Sequence, residues 1–362
     1  MSPVTSRRPR RTLGAALALV LTAGLVACGG SSDAGDGPVA AVPLPEAEGT
    51  TEYPLTLDTW LGESTLEERP ERIAVVGFSS NLDALEAIGV TPVYYGGRDA
   101  EKGWAWNDPA YLEEIGVTDV QDDVLNFEGI AAAEPDLIVS FNAIIEQADY
   151  DKLADIAPVI DLTEDPGVGD KVDWREVQRQ LGEALDLSAA ADQAVADAEA
   201  TIAEVAASHP EYAGKTSTIM YDYGSEFGMS YYTVTGGPTE GVMLDLGFVP
   251  NPLAENFTTD DVVSEENQAL LDGDVLVVIY TDEKSREFRE AQPLFQAIPA
   301  VAEGRYESLV FQEDSATDQL MTSDGQLVEN AVWVLRRGAS AIALPWAADK
   351  IANGWLGGVD LS

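Results

Sequence analysis

Two stretches of this chain are written on one plan, and that repetition limits the fold more than any other feature. NFEGIAAAEPDLIVSF runs from Asn126 to Phe141, and SEENQALLDGDVLVVIYT from Ser264 to Thr281. In each a glutamate, Glu128 or Glu266, stands eight residues ahead of an aspartate, Asp136 or Asp274, that opens an apolar run. Short runs rich in Val and Ile read as strands buried on both faces. A second correspondence lies upstream. IAVVGF, from Ile73 to Phe78, reads as a strand. SSNLDALEAIGV follows it, with Leu82, Leu85 and Ile88 on one helical face, Ser80 and Asp83 in capping-box spacing, and Gly89 as a stop. TPVYYGG then supplies another strand. The later stretch TSTIMYDY, Thr216 to Tyr223, is followed by Leu246-Gly247-Phe248-Val249-Pro250, which echoes Ile88-Gly89-Val90-Thr91-Pro92. Strand, helix, strand is the βαβ unit, and its recurrence predicts an α/β protein of two lobes.

Between the copies lies DLSAAADQAVADAEATIAEVAASHP. Ala191, Val195, Ala198, Ile202 and Val205 recur three or four apart, which predicts one helix over 188–208. At 1.5 Å per residue it spans about 31 Å, enough to bridge two lobes. The expected organisation is an N-terminal lobe over 53–187, the bridge over 188–208 and a C-terminal lobe over 209–362.

The N-terminus is different in kind. Four arginines and no acid precede an apolar run from Leu13 to Ala27, shorter than the roughly 20 residues of a membrane span and suited to a signal peptide over 1–27. Leu25-Val26-Ala27-Cys28 resembles a bacterial lipobox, which implies lipidation of Cys28, the only cysteine. Residues 28–52, rich in Gly, Ser, Pro and acid, read as the lipidated cysteine and a flexible tether. The expected location is extracytoplasmic, held to the cell membrane by acyl chains.

Composition removes several classes of function. A net charge of -44 repels nucleic acid, so none is expected as a partner. With 45% hydrophobic residues the chain still has a large core to bury, so the acidity belongs to a solubilising surface. One histidine, His209 in ASHPEY, reads as a helix-end residue and leaves no metal site built on several histidines. No catalytic residues are assigned.

In their order and spacing the lipobox, ERPERIAVVG, LEAIGVTPV, the two echoing stretches, the long helix and PLFQAIPAVAEGRY resemble the helix-bridged substrate-binding lipoproteins of ABC importers for ferric siderophores, cobalamin and haem. The resemblance spans about residues 53–350. It implies two Rossmann-like α/β lobes joined by a single long helix, with a ligand cleft between them. It also implies that Glu128 and Glu266 dock onto arginines of the importer's transmembrane subunits, a role that fits paired charges near helix starts on equivalent faces.

Ligands of open α/β sheets gather at the carboxyl ends of the strands. That rule selects Arg98, Trp104 and Trp106 in the first lobe, and Tyr223, Phe227, Tyr231 and Arg286 in the second. Arginine donors and flat aromatic walls suit a ferric siderophore, hydroxamates being favoured because the acidic surface opposes an anionic chelate. The protein needs no cofactor or metal ligand of its own, since iron stays on the siderophore. A monomer is expected. Haem or cobalamin is the alternative cargo, and a surface carboxylate-pair hydrolase the alternative class.

Overall fold

The computed structural model describes residues 39–361, apart from 99, 101, 102, 122, 123, 145 and 313–318. Cys28, the apolar run before it and the first part of the tether lie outside the described residues.

Fourteen strands are described. A hairpin of β1 (Leu55–Thr59) and β2 (Gly62–Leu66) precedes the first sheet. That sheet holds β3 (Ile73–Val76), β4 (Tyr94–Gly97), β5 (Thr118–Val120), β6 (Leu137–Val139) and β7 (Val159–Ile160), all parallel in the order β5-β4-β3-β6-β7. The second sheet holds β8 (Ser217–Asp222), β9 (Met229–Tyr231), β10 (Val262–Val263), β11 (Val275–Tyr280), β12 (Tyr306–Phe311), β13 (Gln319–Met321) and β14 (Leu327–Glu329), in the order β10-β9-β8-β11-β12-β13-β14. Its centre, β8-β11-β12, is parallel and its flanks are antiparallel. The central strands read as they sit. All four residues of β3 and all six of β11 are buried.

The helices in chain order are α1 (Ser79–Glu86), α2 (Pro109–Glu114), α3 (Phe127–Ala132), α4 (Gln147–Ala154), α5 (Trp174–Ala184), α6 (Ser188–Ser208), α7 (Pro238–Asp245), α8 (Glu283–Glu290), α9 (Pro293–Gln296), α10 (Pro299–Ala302) and α11 (Ala343–Lys350). Helix α6 is the bridge. Its Ala191 belongs to the core of the first lobe, while Val195, Ala198 and Ile202 belong to the core of the second. Helix α5 lies so close to it that a Cβ on Gly182 would stand 2.4 Å from the Ala191 Cβ.

The repeated plan has a physical basis at its aspartates. Asp136 accepts the backbone N–H groups of Glu71 and Arg72, both at 2.8 Å, just before β3. Asp274 accepts the N–H of Thr216 at 2.8 Å, just before β8. In both lobes the carboxylate that opens one central strand ties down the entry of its neighbour.

Two expectations change. Helix α1 starts at Ser79 without a side-chain cap, because Ser80 donates to the Arg337 carbonyl and Asp83 faces inward. Residues 39–52 are not a free tether throughout. The N–H groups of Gly49, Thr50 and Thr51 donate to Asp186, and Glu48 accepts the N–H groups of Ala189 and Ala190 at the start of α6. The Asp186 carboxyl is held down at about 2 by those donors.

Candidate binding cleft between the lobes

In the first sheet the chain moves outward from β3 to β4 and β5, then returns to β6 and β7 on the other side. The switch point between β3 and β6 leaves a crevice at their carboxyl ends. Gly77 makes the exit from β3 possible. Its φ of +93° is left-handed, and a Cβ there would meet the Ala143 Cβ at 2.2 Å. Asn81 fastens the two exits together, donating from Nδ2 to the carbonyls of Val76 and Phe141, both at 3.1 Å. Ser80, Asn81, Phe141 and Asn142 line this side of a narrow crevice, and Arg336, Arg337 and Ala339 of the second lobe close it. The Asn81 Oδ1 and Asn142 Nδ2 atoms are buried with no partner in the protein. They are an acceptor and a donor in one crevice, and leaving them unsatisfied is costly.

The wall of the second lobe is aromatic and cationic. Tyr221 stacks on Tyr223 at 4.2 Å, Phe311 lies 6.0 Å from Tyr221, and the hydroxyls of Tyr223 and Tyr232 are 2.8 Å apart. The Arg336 guanidinium lies 5.2 Å from the Tyr232 ring centre, and that of Arg337 lies 4.9 Å from the Phe78 ring of the first lobe. Burial works against the charge of Arg336, but Asp170 and Asp261 outweigh it and keep its pKa above the ordinary value. Hydroxyl burial raises the pKa of Tyr221 and Tyr232, so both are neutral donors at physiological pH.

Beside the crevice the lobes are joined through Asp83. Its carboxylate, fully buried, accepts from Trp106 Nε1 at 2.9 Å, Asn107 Nδ2 at 2.8 Å and Ser340 Oγ at 2.8 Å, the last from the other lobe. Burial pushes its pKa up to about 7 against the pull of those donors.

The residues singled out in the sequence separate in space. Tyr223, at the carboxyl end of β8, is more than one-third exposed and part of the aromatic wall. Phe227 is 78% exposed in the turn between β8 and β9. Arg98 is exposed just after β4. Trp104 and Trp106 stack on each other at 5.3 Å, with Trp333 against the first and Trp346 against the second. Their faces are occupied by this packing between lobes, so they do not form a ligand wall as expected. Tyr231 is a plain correction, fully buried and stacked at 4.1 Å on Phe257 in the core. Arg286 pairs with Glu283 on its own helix. Arg289, the other arginine of that helix, is wholly buried between Asp222 and Glu265. His209 ends α6 with its ring nitrogens on Glu211 and Asn353.

Arg336, Arg337, Asp170 and Asn142 were not found from the sequence. The signal available was the Arg336-Arg337 doublet, the one adjacent arginine pair after the N-terminal segment. Glu128, in the first turn of α3, and Glu266, in the 3-10 helix Glu265–Leu271, are both exposed. Val263 pairs with Met229 and Met229 with Asp222, so Glu266 follows a strand ending at the level where β8 ends, on the crevice side of the sheet.

Two α/β lobes threaded by one helix, with a crevice at the carboxyl ends of their strands, have the architecture of a bilobal binding protein. Residues 75–309 match the periplasmic binding protein family model, and the chain belongs to that family. Family membership supports an extracytoplasmic location. Among curated proteins none matches the sequence. The fold is shared with a periplasmic solute-binding protein from Mycobacterium smegmatis (21% identity, TM-score 0.63, covering 85% of this chain and 99% of that one). It is shared with PiaA of Streptococcus pneumoniae in complex with ferrichrome (24%, TM-score 0.66, 82% and 96%). A third is SirA of Staphylococcus aureus complexed with staphyloferrin B (16%, TM-score 0.63, 85% and 100%). Among the described residues no group of three or more His, Cys, Asp or Glu could hold a metal ion, and no helix is long and apolar enough to cross a membrane.

Proposed function

We propose that this protein captures a ferric siderophore outside the cytoplasm and delivers it to the transmembrane subunits of an ABC importer. The observation that carries the reading is the crevice between the lobes, where Arg336 and Arg337 stand with the unpartnered Asn142 amide, next to the aromatic group of Tyr221, Tyr223 and Phe311 that reaches Arg336 through Tyr232. Flat rings match the skeleton of a chelate, and guanidinium and amide donors match its iron-bound oxygens. Iron stays on the siderophore as cargo. Hydroxamate chelates are favoured, the surface being strongly acidic. Glu128 and Glu266 are the docking pair, one on each lobe. Cys28 carries the lipid anchor once residues 1–27 are removed. Two structural relatives hold ferrichrome and staphyloferrin B, which supports this class of cargo.

The test is a titration of the full-length protein in detergent with ferric hydroxamate, catecholate and carboxylate siderophores, haem and cobalamin, following tryptophan fluorescence. The Trp104–Trp106 stack at the lobe contact makes the signal sensitive to lobe movement. Saturable binding of one siderophore class, lost in Tyr223→Ala and Arg337→Ala, is expected. Binding of haem or cobalamin alone changes the cargo, and silence across the panel overturns the reading.

A further inference from the structure

We propose that Asp170 and Asp261 set the charge selectivity of the cleft, admitting uncharged ferric chelates and turning away anionic ones. The inference rests on the chelate-binding reading above and adds the residues that choose among chelates. Arg336 and Arg337 are the cationic part of the crevice wall, and both are already paired. Asp170 divides its oxygens between them, Oδ2 lying 3.0 Å from Arg336 Nε and Oδ1 3.0 Å from Arg337 Nε. Asp261 Oδ2 takes Arg336 Nη1 at 3.0 Å. Two positive charges therefore meet two negative ones. What remains toward the crevice is hydrogen-bond donors without net charge, since the Arg337 side chain is still half exposed while Asp170 is 8% exposed.

A trianionic chelate brought to this wall would have to displace a carboxylate or lie beside it, and like charges in a partly desolvated cleft repel strongly. An uncharged chelate needs only donors and ring faces, which the paired arginines still offer. Asp170 is held in place by its loop. Its φ is +49°, just after Gly167 at +61° and Gly169 at +87°, and Gly169 lies so near the second lobe that a Cβ on it would meet the Val234 Cβ at 2.9 Å. Asparagine tolerates the left-handed region as aspartate does, so Asp170→Asn keeps the backbone and removes the charge, together with one of the two oxygens that accept from the arginines.

The experiment compares affinities of the full-length protein in detergent for an uncharged ferric trihydroxamate and a trianionic ferric tricatecholate, by equilibrium dialysis at fixed salt. Wild type is expected to favour the trihydroxamate. Asp170→Asn should shift the ratio of the two affinities toward the tricatecholate by about tenfold, the order set by removing one unit charge near three others. Asp261→Asn, at a more exposed carboxylate, should shift it the same way by less, and it carries the comparison if Asp170→Asn does not fold. Asp170→Glu should leave the ratio unchanged, and Asp170→Asn with Arg337→Gln should reverse the shift. A ratio unmoved by either asparagine variant, or a wild type that prefers the trianion, overturns the inference while leaving chelate capture standing. If wild type takes up neither chelate, the underlying reading falls and the inference with it.

Discussion

Replacing Asp83 by asparagine should reverse its effect on stability between mildly acidic and mildly basic solution. The folded protein holds the Asp83 proton up to about pH 7, whereas the unfolded chain releases it near 3.8. A raised carboxyl pKa means that this group's contribution to stability is intact below 3.8, falls as pH rises, and levels off above about 7. At about 1.4 kcal/mol per pH unit the whole interval amounts to roughly 4 kcal/mol, of which roughly 2–3 kcal/mol falls between pH 5 and pH 8. The substituted amide carries no charge at any pH and escapes this cost. It has only one carbonyl oxygen for three donors, so Trp106 Nε1 or Asn107 Nδ2 loses its acceptor, at about 1–3 kcal/mol independent of pH. The stability of Asp83→Asn relative to wild type should therefore rise by roughly 2–3 kcal/mol from pH 5 to pH 8. Urea unfolding followed by circular dichroism measures it, above the sequence isoelectric point of about 4.1 where solubility suffers. A difference that stays flat across that range, or falls, refutes the account of Asp83 as a buried, titrating joint between lobes.

Gly182→Ala should cost about 1–3 kcal/mol despite alanine's better helix propensity, because the new methyl overlaps Ala191 on the bridge; a variant as stable as wild type in thermal unfolding would contradict that close approach. Arg289→Met should cost about 3–5 kcal/mol by leaving Asp222 buried without its partner, and the double variant with Asp222→Asn should recover part of the loss in urea. Glu128→Ala and Glu266→Ala should each leave chelate affinity unchanged while lowering uptake of radioactive iron in cells that depend on this importer. Wild-type uptake by both would remove them as the docking pair.

The lobes and the bridge were legible because they depend on local periodicity. The apolar runs of β3 and β11 are buried along their whole length, and α6 spans the residues whose three-and-four spacing marked it. Tyr223 was legible as the residue at a strand end. Tyr231 was not, because its exposure depends on which face β9 turns toward Phe257, a contact set by a segment far along the chain. The tryptophans misled for a related reason. A Gly- and Asp-rich loop without strand pattern looks free, yet Trp106 is claimed by Asp83 below it and Trp346 beside it. Arg336 and Arg337 follow no strand signal at all, and only the return of the chain after β14 brings them against Phe78 and Asp170.

That return also bears on how the cleft can work. Helix α6 is continuous through both cores, so the lobes have no loop hinge there to swing about, and a rigid bridge permits bending more readily than rotation. The joints beside the crevice are of two kinds: polar ones, Asp83 with Ser340, Ser80 with the Arg337 carbonyl and Asp170 with Arg336 and Arg337, and aromatic ones, Trp104 against Trp333 and Trp106 against Trp346. Polar joints exchange for water at small net cost, whereas parting the lobes also separates the tryptophan contacts, which holds the movement to a small one. A ligand entering such a cleft meets side chains already positioned by Asp170 and Asp261. Its affinity then depends on how well it fits that wall, more than on a large closure that the bridge does not allow.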